Sequence, residues 1–189
     1  MSIPQWLFAV SYDLLNLAVE GRVTPFRRQT AGQAWGEVLE IGGGTGANLP
    51  FYRPGVRLTV AEPNPHMALR LRRRAAKRGR EVAIVPAFGE KLPFRDGSFD
   101  SVVTTLVLCM VGDLDRVVQE TLRVLRPGGS FFFYEHVVSP RPRMRKWQDR
   151  VNPVWRLLTT GCNLNRDISA AINAAKFSSV EVSAFDLSV

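Results

Sequence analysis

The sequence predicts an α/β protein built on a doubly wound, mostly parallel sheet. Three observations lead there. Short apolar runs alternate with helix-patterned segments five times over, with short connections between them. The first of those runs ends in a glycine loop, "GGGTG" at Gly42 to Gly46, where backbone must turn sharply or let a ligand come close. No repeat, low-complexity tract or linker interrupts the pattern, so the 189 residues read as one domain.

In chain order, Trp6 to Val19 is apolar with helical spacing, and residues 1–34 are expected to form an N-terminal helical cap over a body spanning 35–189. Glu37 to Gly42 is a short strand, and the residues after the glycines are expected to begin a crossover helix. Val56 to Asn64 is a second strand. Residues 65–79 form a helix opened by Pro65 and stopped by Gly79. "EVAIVPA" is the third strand, and "FDSVVTTLVL" the fourth, its nearly continuous apolar character suiting burial on both faces. A helix begins at Asp113 and stops at Pro127-Gly128-Gly129, and "SFFFYEHVV" is the fifth strand. Beyond Pro140 the pattern predicts helix, break, helix up to Asp167, then a helix over "ISAAINAAKF". Val180 to Leu187 alternates like a sixth strand, leaving the sheet without a final one.

Composition narrows the class. The chain is 46% hydrophobic, with a net charge of +8 and a pI near 10.3. The excess sits in "RLRRRAAKRGR" and "RPRMRKWQDR", which read first as solvated helix faces and second as patches for nucleic acid or anionic lipid. Neither carries the interleaved aromatic residues of a base-stacking platform, so nucleic acid is not the expected partner. Cys109 and Cys162 lie far apart in sequence and suggest neither a disulfide framework nor a zinc site, so no metal is expected. No run is long enough to span a bilayer and no signal peptide is evident, which makes the cytoplasm the expected compartment. The N-terminal helix could also lie at a membrane surface, although packing over the sheet is favoured. Oligomeric state is not legible.

Gly42-Gly43-Gly44-Thr45-Gly46-Ala47 satisfies the pattern G-x-G-x-x-A, so an NAD(P)-dependent oxidoreductase is one reading. It lacks the Gly-Lys-Ser/Thr ending of a phosphate-cradling loop. Glu40, two residues before the glycines, would repel a pyrophosphate and attract an ammonium group. Gly46 adds a glycine in the turn itself. Glu62 closes the second strand about twenty residues after the first glycine, where a carboxylate takes the hydroxyls of a ribose. A ribose-bearing ligand with a cationic amino-acid end and no diphosphate satisfies all three, and S-adenosylmethionine is such a ligand.

"VLEIGGGTGANL", "AEPNPHM", "GEKLPFRDGSFDSVV" and "LRVLRPGG" together resemble, in order, the motifs of class I S-adenosylmethionine-dependent methyltransferases, over roughly residues 37–129. That resemblance implies a Rossmann-like fold and a set of cofactor contacts. Gly42, Gly44 and Gly46 would admit the cofactor to the backbone, with Asn48 beside them; Glu40 would face its methionine end and Glu62 its ribose. Pro63, Asn64 and Met67 would border the adenine, with Phe88 and Gly89 on the other edge, and Thr105 and Leu106 would lie under the methionyl part. Many relatives carry an acidic residue in place of Phe88, so adenine recognition here must lean on backbone and packing. Further stretches, "GANLPFYRPGVRLTVAEPNP", "TTLVLCMV", "EHV" and "TGCNLNRD", resemble the microsomal methyltransferase-like thiol S-methyltransferases. Tyr12 resembles a lid contact of soluble relatives.

Methyl transfer from a sulfonium is an in-line displacement needing alignment and exclusion of water more than a base. His136, at the end of the fifth strand beside Glu135, is the candidate proton carrier, although a hydrogen-bonded structural role is the stronger reading of a strand-end histidine. The expected acceptor is a small molecule, a thiol or an amphipathic lipid or quinone precursor. Its pocket is expected from Trp6, Phe8, Trp147, Val154, Trp155 and Leu157. An RNA methyltransferase using the basic patches is the lesser alternative.

Overall fold

The computed structural model describes residues 21–159 and 161–183. Residues 21–29 are helical (α1) and a 3-10 turn, Ala31–Gln33, leads to the first strand. The strands are β1 (Glu37–Ile41), β2 (Arg57–Ala61), β3 (Val82–Val85), β4 (Phe99–Thr105) and β5 (Leu125–Tyr134). They form one sheet in the order β3-β2-β1-β4-β5, every neighbouring pair parallel. The chain steps outward from β1 to β3, then returns to the other side of β1 as β4. The carboxyl ends of β1 and β4 therefore flank a topological switch point, the crevice where open α/β sheets bind ligands.

Alternation along the strands divides the core. Leu39 and Ile41 of β1 pack with Val102 on one face of the sheet, against α3 (Leu114–Val124) and α5 (Ile168–Ala174). Val38, Val60 and Val103 turn to the opposite face with Leu71 and Ala75 of α2 (Pro65–Lys77). Asn64 caps α2 by accepting from His66 N and Met67 N, and Gly79 ends the segment at φ +59°. Asp113 caps α3 through Arg116 N at 3.0 Å. Arg123 of the same helix reaches back to Leu92 O, Phe94 O and Asp96, pinning the long β3–β4 connection.

Four expectations change. The segment after the glycines is a run of turns, residues 44–51, and not a helix, because Pro50 and Pro54 with Gly55 leave too few residues for one. β5 begins at Leu125, directly after α3, and the Pro127-Gly128-Gly129 stretch becomes a shift in its register with β4. α4 (Pro142–Leu158) is continuous through Pro153: proline's fixed φ suits a helix, and the single lost bond falls on an exposed position. The alternation at 180–183 does not make a strand; Val180 and Val182 stay exposed, so no buried face drives pairing there. Among the described residues β5 pairs with β4 alone, and no helix is long and apolar enough to cross a membrane. Tyr12, Trp6, Phe8 and the rest of residues 1–20 of the expected cap lie outside the described residues, as do residues 184–189, which include the end of the expected sixth strand.

Candidate active site

The glycine loop leaves β1 at the switch point. Gly42 has φ +68°, and a Cβ there would come within 2.6 Å of Val107 on the β4 side. Glycine thus provides both the turn and the close approach of the two loops. Gly46, at φ +86°, closes the turn against Leu49. Opposite them Leu106 sits at φ +57°, the one non-glycine residue with positive φ among those described, held by Leu106 N donating to Tyr134 O at 2.8 Å. Such strain costs of order 1–3 kcal/mol and persists only where the surroundings enforce it, which marks functional sites.

Glu62 joins the second strand to the loop. Its Oε2 accepts from Gly44 N at 2.7 Å and its Oε1 from Asn64 N at 2.8 Å. Each oxygen keeps a further acceptor site, the pair a ribose diol requires. Burial pushes this carboxyl above its ordinary range.

Glu40 behaves differently from expectation. It is 3% exposed, with Oε1 accepting from Asn48 Nδ2 and Oε2 from Tyr52 OH, so it lies beneath the loop instead of presenting a free carboxylate. Asn48 ties the network together: its amide nitrogen also donates to Thr105 Oγ1, and its oxygen accepts from Arg27 Nη1 at 2.7 Å. Desolvation raises Glu40 to about 6, and burial beside that carboxylate raises Tyr52 as well. Arg27, buried on α1, and Tyr52 were missed by sequence reasoning. Arg74 of the basic stretch donates to Thr45 Oγ1, and Arg80 to Tyr52 O, so part of that charge buttresses the loop.

The adenine-side residues separate. Met67 is buried, Pro63 is partly covered, and the Asn64 side chain is engaged as a helix cap. A Cβ at Gly89 would crowd Ile41 and Val117, so the loop after β3 lies tight against the sheet. Phe88 instead exposes 68% of its surface, a ring left mostly outside the core.

Across the crevice the structure brings together two residues that the sequence keeps apart. Cys109 and Cys162, distant in sequence, meet with sulfurs 3.3 Å apart, and His136 Nδ1 lies 3.5 Å from Cys162 Sγ. The shared hydrogen bond lowers the Cys162 thiol and raises that of Cys109, and the Cys162 contact raises His136. Glu135 accepts from Val107 N and Cys109 N, and its burial raises it to about 7. Of the described acceptor-pocket candidates, Trp155 turns inward against the core, whereas Trp147, Val154 and Leu157 face outward on α4.

The glycine turn, the two-sided carboxylate of Glu62 and the strained Leu106 fit a nucleoside with an amino-acid tail, and comparison with known proteins agrees. A family model described as a methyltransferase domain matches residues 39–133. Thiol S-methyltransferase TMT1B of Homo sapiens is 40% identical over 185 residues, covering 94% of this chain and 76% of the relative. Thiol S-methyltransferase TMT1A of Homo sapiens is 43% identical over 150 residues, 77% of this chain, and the match spans 61% of that protein's length. In fold, the chain resembles a SAM-dependent methyltransferase from Thermotoga maritima (TM-score 0.58, 22% identity, 87% of this chain and 79% of that one). It also resembles the YcgJ protein of Bacillus subtilis (TM-score 0.67, 24% identity, 80% and 64%). Nothing among these supports the oxidoreductase reading. The chain belongs to the S-adenosylmethionine-dependent methyltransferases.

Proposed function

We propose that this methyltransferase acts on the sulfur of a small, largely apolar thiol. The observation that carries the reading is the similarity along 94% of the chain to a thiol S-methyltransferase. S-adenosylmethionine supplies a methyl group already activated on a sulfonium.

The protein's part is to bind, align and exclude water, effects that together can contribute ~7–11 kcal/mol. Gly42, Gly44 and Gly46 give bare backbone, and Glu62 accepts from the ribose hydroxyls with its two remaining acceptor sites. Phe88 offers its exposed ring to the adenine, beside Gly89, Pro63 and Met67. Thr105 and Leu106 form the floor under the amino-acid tail, where the negative potential of Glu40 arrives through Asn48. Arg27 couples α1 to that floor. A thiol with a pKa near 8.5 is ~3% ionised at pH 7, so no strong base is required. His136 is engaged with Cys162, and the acceptor's proton passes to solvent.

The test is a methyl-transfer screen in which the full chain meets an alkyl thiol, a phenol and an amine of matched size. The expected result is thioether and S-adenosylhomocysteine in equal amounts, with the other acceptors at least tenfold slower. Transfer to the amine or phenol alone would overturn the acceptor. Calorimetry showing NADH bound and S-adenosylhomocysteine ignored would overturn the whole reading.

A further inference from the structure

Cys109, His136 and Cys162 present two sulfurs and a ring nitrogen that all lie within 4.8 Å of one another. Three separate segments deliver them: the turn after β4, the end of β5, and the loop after α4. We propose that these residues form a Cys2His site for a zinc ion, with a fourth position left open.

The donor chemistry selects the ion. Two thiolates and an imidazole suit zinc, whereas magnesium and calcium demand oxygen ligands. Two of the three donor separations are close to what coordination requires, and the third, from His136 to Cys109, is within 4.8 Å. Tetrahedral zinc with sulfur at about 2.3 Å and nitrogen at about 2.0 Å places ligand sulfur and nitrogen roughly 3.5 Å apart and two sulfurs roughly 3.75 Å apart. His136 Nδ1 and Cys162 Sγ are 3.5 Å apart, and the two sulfurs, at 3.3 Å, need to part by only about 0.4 Å to admit the ion. A disulfide would use the sulfurs but give the imidazole no part.

The surroundings hold the donors in place. Asn163 donates both its backbone N–H and its side-chain amide to Cys109 O, at 2.9 and 2.8 Å. Arg166 donates to Leu108 O and Val111 O, and its own carbonyl accepts from Val138 N. The loop carrying Cys162 is thereby fastened to the turn carrying Cys109 and to the chain just beyond His136. Glu135 secures the same turn through Val107 N and Cys109 N. The Trp155 indole N–H is buried without a conventional hydrogen-bond partner, on the helix that leads into the Cys162 loop. A metal-bound thiolate is the kind of acceptor such an outer N–H orients. Both cysteines are buried, at 1% and 6% exposure, which shields a bound ion from competing chelators. Binding would release to solvent whatever protons the donors still carry. Three protein donors without a fourth among the described residues define an open site, in which water or an added sulfur ligand completes the tetrahedron.

The experiment is a titration of the full chain, purified under reducing conditions without chelator, with cobalt(II) as a spectroscopic stand-in for zinc. One equivalent should bind and give intense thiolate-to-cobalt bands in the near ultraviolet with tetrahedral d–d bands in the visible. Zinc should bleach both. Cys162→Ser and Cys109→Ser should lose the bands, and His136→Gln should weaken and shift them. Zinc should raise the wild-type melting temperature without raising that of Cys162→Ser, a readout independent of methyl transfer. A small thiol added to the cobalt protein should shift the d–d bands by filling the open position. The proposal is overturned if the wild type binds no cobalt while both thiols titrate as free. It is equally overturned if the pair oxidises to a disulfide whenever metal is offered, or if the bands survive in Cys162→Ser. Failure here leaves the thiol acceptor standing, because the acceptor screen does not depend on metal.

Discussion

The two walls of the crevice are built on different principles. On the β1–β2 wall, Glu40, the glycines, Asn48, Tyr52, Glu62 and Asn64 fall within 25 residues of one another, and their hydrogen bonds run between neighbouring loops. On the β4–β5 wall, Glu135 closes the turn at Val107 to Cys109, and Cys162 arrives from 53 positions beyond Cys109. The first wall is a spacing motif; the second exists only once the chain has folded. On the function proposed above, local geometry supplies most of the cofactor's contacts and tertiary geometry the acceptor side, and the two should fail in different ways when cut.

The largest effect is expected on the first wall. Glu62→Ala removes an acceptor from Gly44 N and Asn64 N together with the ribose partner, and should weaken S-adenosylhomocysteine binding by about 100-fold or more. Calorimetry checks it, and a loss below fivefold would separate Glu62 from the ligand. On the second wall, Glu135→Ala should act on stability first. It strands the N–H groups of Val107 and Cys109 and should cost about 2 kcal/mol in urea unfolding, with Glu135→Gln recovering only part of it because its single amide oxygen serves one of the two N–H groups. If Glu135→Ala instead abolishes cofactor binding at unchanged stability, the division between the walls is wrong.

The same contrast explains how much was legible. The parallel, doubly wound sheet and the ligand edge at the glycine loop follow from alternation of short apolar runs with helices, because short strand–helix–strand connections favour parallel neighbours. Gly42 and Gly46 were readable because positive φ leaves a compositional trace. Leu106 shows the same strain, yet leucine carries no such trace, and only the resemblance pointed to it. Arg27 was hidden because a buried arginine looks like a surface one until its partner Asn48 is in place. The pairing of Cys109 with Cys162 is a long-range contact that spacing cannot encode. Helix breaks were over-read: Pro153 is accommodated where its missing hydrogen bond faces outward.

A third measurement separates charge from shape on the first wall. Glu40 titrates at about 6 in the fold against an ordinary 4.5, because burial penalises its charge. A carboxyl harder to ionise folded than unfolded destabilises the native state as pH rises from about 4.5 past 6, by about 2 kcal/mol once ionisation is complete. Glu40→Gln should remove that step, leaving the ligand-free protein with a flatter stability profile between pH 4.5 and 7. A cationic ligand tail favours the carboxylate, so cofactor binding by the wild type should weaken as pH falls through 6, and binding by Glu40→Gln should lose this dependence. Identical profiles for the two proteins would show that Glu40 acts by shape alone.

The smallest effect tests the boundary of the site. Asn64 sits beside Glu62, and the resemblance places it against adenine, yet its side-chain oxygen already accepts from His66 N and Met67 N at the start of α2. One oxygen serving two backbone donors has little left for a ligand, and what touches Glu62 is the Asn64 backbone N–H, which every replacement except proline keeps. Asn64→Ala should therefore cost about 1 kcal/mol of stability through the lost cap, readable in urea unfolding, while changing S-adenosylhomocysteine affinity by less than about threefold. Asn64→Asp, which caps as well, should recover the stability. A tenfold loss of affinity in Asn64→Ala at recovered stability in Asn64→Asp would extend the cofactor's contacts past Glu62 onto the helix, and the first wall would then recognise the base as well as the sugar.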